Sequence, residues 1–215
     1  HGKPDGVPDA IEAHASKIIE QGPALLTLGG DHFISYPLLK AHARKHGTPL
    51  TLLHFDAHSD TWSDENDRID HGTFFYKAVK TGLIDPKTSV QIGIRTHCDD
   101  YLGVEYIDAR TVHEKGCAYV VARAKEIVGQ NPTYVTFDID CLDPSAAPGT
   151  GTPVWGGLQT WQAAACLRDL AGINMVGGDI VEVSPAYDTT GATAIAGAHV
   201  AHELICLYHW AHHRT

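Results

Sequence analysis

Apolar residues recur along this chain in two rhythms that alternate with one another. Ile11, Ala15, Ile18 and Ile19 follow Pro8-Asp9 at helical spacing, and that stretch closes at Gly22. The next run, Ala24 to Leu28, is short and mostly apolar, which predicts a buried strand ending at Gly29-Gly30. A helix is predicted from Phe33 to His46, with Pro37 in its first turns and Gly47 as its stop. Further strands are predicted over Leu50 to Phe55, Ser89 to Ile94, Val104 to Ile107, Thr133 to Ile139 and Ile173 to Val181. Helices are predicted over Thr73 to Thr81, Ala118 to Val128, Thr160 to Leu170 and Thr193 to Ala211. Two polar or Gly/Pro-rich loops interrupt the alternation, Ala57 to Gly72 and Asp143 to Gly157.

Continuously apolar strands separated by helices predict an α/β fold with a mainly parallel sheet covered on both faces. Ligands of such sheets sit beyond the carboxyl ends of the strands. No linker, repeat or low-complexity tract divides the 215 residues, so residues 1–215 are expected to form a single domain.

Charge and cysteine usage narrow the function classes. There are 26 acidic against 16 basic residues, a net charge of -10, which argues against nucleic acid and anionic membrane as partners and suits cationic ligands. No apolar run approaches the length of a membrane span. Cys98, Cys117, Cys141, Cys166 and Cys206 are odd in number, scattered and without a Cys-x-x-Cys pair. With no basic-then-apolar leader, the expectation is free thiols in the cytoplasm.

Three polar clusters each follow a predicted strand: Gly29-Gly30-Asp31-His32, Asp56-Ala57-His58-Ser59-Asp60 and Asp138-Ile139-Asp140. In extended backbone, residues two apart project together, which would converge Asp56 with His58 and Asp60, and Asp138 with Asp140. If these strands neighbour one another, four carboxylates and two imidazoles meet in one crevice. One Asp-x-Asp is ordinarily a turn, and one His a satisfied polar residue. Three such clusters at three strand ends exceed what turns require. No Lys or Arg accompanies them in sequence, so the charges must be met by protons or by cations. Two divalent ions balance four carboxylates, and an oxygen-rich ligand set with some imidazole suits Mn²⁺ better than structural Zn²⁺.

These segments resemble the ureohydrolase (arginase/agmatinase) family, and their wording is most similar to bacterial agmatinases. The likeness extends through Ser89-Val90-Gln91-Ile92-Gly93-Ile94-Arg95, Phe137 to Pro144 and Ala147 to Pro153, and it spans Ile11 to Tyr208. It implies a three-layer α/β/α fold and two Mn²⁺ ions per chain. It also implies hydrolysis of a cationic guanidino substrate, agmatine, to urea and putrescine by a metal-bridging hydroxide. On the family pattern His32 and Asp60 hold one ion, His58 and Asp140 the other, and Asp56 and Asp138 bridge both. His71 matches the family's proton-relaying His, and Glu182 the Glu that pairs with the substrate guanidinium. Trimers or hexamers are expected. The alternatives are the same chemistry on guanidinobutyrate or arginine, and a non-catalytic or truncated relative.

The family carries N-terminal strands that have no counterpart here, and the chain opens on His1-Gly2-Lys3-Pro4. It is therefore expected to be N-terminally incomplete, with a sheet edge left open. Gly178 stands where a larger apolar residue is usual, and Gly191-Ala192 where an acidic residue and Ile are usual, so some loss of local packing is expected. Thr61 to Asp70 carries Asp64, Glu65, Asp67 and Asp70 against Arg68, and on the family pattern it rims the pocket, favouring agmatine's ammonium end. Trp62 is placed either at the pocket mouth or in surface packing. His54 and Cys141 are read as core, and the stripe His202, His209 and His213 with nearby His199 as an outward face of the last helix.

Overall fold

The computed structural model describes residues 6–63, 68 and 70–213. Six helices and six strands alternate along them: α1 (Val7–Glu20), β1 (Leu26–Leu28), α2 (Ser35–His46), β2 (Thr51–Phe55), α3 (Phe74–Lys80), β3 (Val90–Ile92), β4 (Glu105–Ile107), α4 (Ala109–Val128), β5 (Thr133–Asp138), α5 (Thr160–Asp169), β6 (Met175–Val181) and α6 (Ala192–His212). The strands form one sheet in the order β1-β6-β5-β2-β3-β4, and every neighbouring pair is parallel.

Successive residues of a strand face opposite sides, and here both sides are covered. Leu53, Phe55, Val135, Phe137 and Ile180 pack with Val120 of α4, Leu167 of α5 and Leu204 of α6. The alternate residues Leu52, Tyr134 and Val176 pack with Ile19 of α1, Leu39 of α2 and Phe75 of α3. The result is the expected three-layer α/β/α architecture, and all of β2, β3, β5 and β6 is buried.

Strand β6 carries one extra residue. Thr133 pairs with Met175 but Tyr134 pairs with Gly177, so Val176 bulges out of register. The shift sets the parity of everything downstream, placing Asp179 opposite Thr136 and Val181 opposite Asp138. Gly178 is required here rather than a packing defect, because a Cβ at that position would come within 2.6 Å of the Val135 carbonyl oxygen. That finding corrects the expected loss of packing at Gly178.

Helix α4 also departs from expectation. It begins at Ala109, not Ala118, with Asp108 accepting the Thr111 N–H at 2.7 Å as its cap. Gly116, at φ 78°, kinks it, and that break hides the first half from a periodicity reading. The outward placement of His199, His202 and His209 on α6 is as expected, with Val200, Leu204 and Leu207 buried beneath. Among the described residues no helix is long and apolar enough to cross a membrane.

Candidate metal centre

The strand order brings together the four strands whose carboxyl ends bear the expected residues. His32 lies in a short 3-10 turn after β1, which Asp31 caps by accepting the Phe33 N–H at 2.8 Å. Asp56 directly follows β2, Asp138 ends β5, and Glu182 directly follows β6. Sheet order β1-β6-β5-β2 makes these neighbours.

Convergence arises from turns and not from extended backbone, contrary to the alternation argument. Asp56 Oδ1 accepts the N–H of His58 at 2.6 Å, and Asp138 Oδ1 accepts that of Asp140 at 2.8 Å. Asp60 takes a left-handed φ of 52°. Asp140 Oδ1 also accepts the Ala57 N–H at 3.1 Å, tying the β5 turn to the β2 turn. Asp56, Asp138 and Asp140 thus each spend Oδ1 on a backbone N–H and turn Oδ2 toward the imidazoles.

Around the His32 imidazole, Nδ1 lies 3.1 Å from Asp56 Oδ2, 3.0 Å from Asp60 Oδ2 and 3.2 Å from Asp138 Oδ2. None of the three lies along a hydrogen-bond direction, so this buried nitrogen has no partner. His58 Nδ1 lies 3.1 Å from Asp140 Oδ2 and 3.3 Å from Asp56 Oδ1. Asp56 is therefore common to two groups, one with His32, His54 and Asp60 and one with His58 and Asp140. Asp138 joins the first through His32.

The electrostatics describe a site with excess negative charge. Burial opposes the His58 imidazolium, yet Asp140 and Asp56 outweigh it and lift its pKa to about 11. Burial likewise opposes charge on His32, and Asp138, Asp56 and Asp60 overcome it, holding the pKa well above the ordinary value. Burial, reinforced by Asp140 and Asp56, pushes Asp138 well up. Protons are thus drawn into the cluster to offset its carboxylates, and a bound cation would take their place. An orphaned imidazole nitrogen ringed by three carboxylate oxygens fits divalent-cation ligation better than it fits a hydrogen-bond network.

A cavity of about 90 Å³ opens beside this cluster, lined by His58, Asp60, Asp138, Trp62, His71 and Thr152 among others. Trp62 lines the pocket, packed over Gly72, where a Cβ would overlap its indole. His71 is part-exposed, and its Nδ1 lies 3.7 Å from Glu182 Oε1. Donor atoms of Asp31, His71 and Glu182 come within 4.8 Å of one another. A larger groove of about 370 Å³ between α5 and α6 has Glu203 as its one lining acid, paired with Arg168. Of the acidic rim, Asp64, Glu65 and Asp67 lie outside the described residues, while Asp70 pairs with Arg68.

Four contributors escaped sequence reasoning. His54 is core, as expected, but its Nε2 also donates to Asp56 Oδ2 at 2.8 Å, oriented by Gln91 Nε2 on its Nδ1 at 3.0 Å. Thr136 Oγ1 lies 2.9 Å from His32 Nε2, and buried Asp179 accepts from Thr136. Only His54 carried a signal, its position two residues before Asp56. Cys141 is buried as expected, with its Sγ against the Ile92 carbonyl at 3.6 Å.

Comparison with known proteins places this geometry. The arginase family model matches residues 1–206. An agmatinase of Chromobacterium violaceum is 58% identical over 201 residues, 93% of this chain and 62% of that protein. An agmatinase of Proteus mirabilis is 52% identical over 206 residues, 96% of this chain and 67% of that protein. A solved structure of a hypothetical agmatinase from Burkholderia thailandensis superposes with a TM-score of 0.93 at 59% identity, covering 94% of this chain and 65% of that one. Proclavaminate amidino hydrolase from Streptomyces clavuligerus superposes equally, at 0.93, with 41% identity over 98% of this chain and 72% of that one. The chain thus spans 62% of the length of the Chromobacterium relative. By sequence and by fold, the chain belongs to the arginase family.

Proposed function

We propose that this chain carries the catalytic centre of a binuclear manganese amidinohydrolase that cleaves agmatine and water to putrescine and urea. The observation that carries the reading is the convergence of Asp56, Asp60 and Asp138 on the unpartnered Nδ1 of His32. His32 and Asp60 would hold one Mn²⁺, His58 and Asp140 the other, and Asp56 and Asp138 both. Bound there, the ions supply Lewis acidity that makes water nucleophilic at neutral pH.

The chain's own groups do the rest. Glu182 presents a carboxylate to the planar guanidinium, a match for bidentate pairing. Its Oε1 is already aimed by the His32 N–H at 2.7 Å. Half-buried between that carboxylate and solvent, His71 can pass a proton to the departing amine. Agmatine is favoured over other guanidino compounds by the agmatinases at 52% and 58% identity. The proclavaminate enzyme at 41% identity shares the fold, so the fold alone does not set the substrate.

The five unpaired cysteines support a cytoplasmic setting. Exposed Trp161, Ile195, Ile205 and Trp210 on α5 and α6 support a homo-oligomer. Sedimentation would read that state, and trimers or hexamers are expected. The functional test is urea release from agmatine, arginine and guanidinobutyrate after Mn²⁺ loading, with metal counted on the same sample. Preference in that order is expected, and the gap should narrow as salt rises. A clear preference for guanidinobutyrate rejects agmatine while leaving the metal chemistry standing. Absence of bound Mn²⁺ rejects both.

A further inference from the structure

Asp179 is a fully buried carboxylate in the middle of β6 that touches no residue of the proposed ligand set. Burial pushes its pKa up, so its presence needs a reason. Three hydroxyls surround it. Ser35 Oγ and Tyr134 Oη each donate to Oδ2 at 2.7 Å, and Thr136 Oγ1 donates to Oδ1 at 2.5 Å. The register shift in β6 puts Asp179 directly opposite Thr136. Thr136 Oγ1 in turn lies 2.9 Å from Nε2 of His32.

The direction of each bond in this chain is constrained. An ionised carboxylate only accepts, and a hydroxyl has one proton to give. With that proton committed to Asp179, Thr136 Oγ1 can only accept from His32. Nε2 of His32 must therefore carry a proton, so that when a cation takes the place of the proton drawn onto the ring, the lone pair is presented by Nδ1. That nitrogen is the one that faces Asp56, Asp60 and Asp138.

We propose that Asp179 is a positioning residue for cation binding, acting through Thr136 to keep the proton of His32 on Nε2 and its Nδ1 free as a ligand. The proposal rests on the metal-site reading above. Outer partners of ligating imidazoles typically contribute ~10- to 100-fold in metal affinity, which sets the expected size.

Two readouts test it on the whole chain. In the metal-free protein, proton NMR follows the His32 Nε2–H. A slowly exchanging, hydrogen-bonded signal is expected in the wild type and in Thr136→Ser. It should be lost in Thr136→Val and moved in Asp179→Asn. Mn²⁺ affinity, measured by chelator competition, should fall ~10- to 100-fold in Thr136→Val and in Asp179→Asn and stay near wild type in Thr136→Ser. Asp179→Asn should cost no further affinity when added to Thr136→Val.

Equal affinity in Thr136→Val and Thr136→Ser overturns the relay, even if Asp179→Asn does not fold. So does a full additional loss in the double variant, which would assign Asp179 to general folding. If the wild type binds no Mn²⁺, the functional reading fails. The Nε2–H signal still decides the relay by whether Asp179→Asn moves it.

Discussion

Glu182 Oε1 accepts the backbone N–H of His32 at 2.7 Å, joining two residues 150 positions apart. In return, the Glu182 N–H donates to the Gly30 carbonyl at 2.8 Å, and Glu182 takes a left-handed φ of 63° to do so. One non-glycine residue in a strained conformation thus stitches the end of β6 to the turn after β1. Glu182→Gln preserves the acceptor and removes the charge. Metal content should stay at the wild-type level while kcat/KM for a guanidinium substrate falls roughly 10- to 150-fold, the worth of a charged hydrogen bond. Loss of metal instead would show that Glu182 serves the ligand turn and not the substrate.

Asp138 is the carboxylate that ends β5 and faces His32 Nδ1 at 3.2 Å. Asp138→Asn keeps the shape and the cap on the Asp140 N–H but removes a charge that the proposed site would share between two cations. The variant should lose at least one ion, with activity falling by orders of magnitude. Metal analysis paired with urea release checks it, and full activity in the variant would sink the binuclear mechanism.

His71 sits on the rim, 3.7 Å from Glu182 and apart from the inner carboxylates. His71→Ala should therefore retain its metal and lose ~10²- to 10⁴-fold in kcat, the usual span of acid-base assistance. A metal-depleted His71→Ala would reassign His71 as a ligand.

His42 predicts the acid sensitivity of the fold. It lies in α2, buried edge-on against Tyr134, and neither ring nitrogen has a partner. Burial, helped by His46 and Lys45, lowers its pKa to about 4. The unfolded chain takes up that proton near pH ~6.5 while the folded chain refuses it, so the unfolded state binds more protons in between. Stability is therefore full above pH ~6.5 and is lost as pH falls toward 4, by on the order of 3 kcal/mol in total. His42→Leu removes both orphaned nitrogens. Urea denaturation at steps between pH 7.5 and 4 should show a shallower decline in this variant; an unchanged slope assigns the sensitivity to the carboxylate cluster.

The outer edge of β1 has no strand beside it among the described residues, and Leu28 there is 74% exposed. A groove of about 320 Å³ lined by Leu25, Leu26, Met175, Leu204 and Tyr208 adjoins it. An open apolar edge invites pairing between chains. Leu28→Lys should lower concentration-dependent association in light scattering without lowering the melting temperature. Unchanged association would place the contact elsewhere.

The amino-acid order alone pointed to the strands, because those buried on both faces, β2, β3, β5 and β6, are predominantly apolar. It also determined which residue types stand where those runs stop, since a buried run ending in Asp-x-His or Asp-x-Asp leaves its polar groups at one end. Hence His32, Asp56, His58, Asp60, Asp138 and Asp140 stood out in the sequence as strand-end polar clusters, whereas His71 and Glu182 were marked only by the family resemblance. Tertiary structure decided what local pattern cannot carry. Strand order places β6 between β1 and β5, and only that order brings Glu182 to the His32 turn. Turn hydrogen bonds, rather than extended backbone, aim the carboxylates. A single bulged residue, Val176, sets the parity that puts Asp179 opposite Thr136. That carboxylate lies within a strand, three residues before Glu182 but outside the polar clusters that follow the strands. Its worth comes from three hydroxyls supplied by β5 and α2, and such partners exist only once the layers have packed.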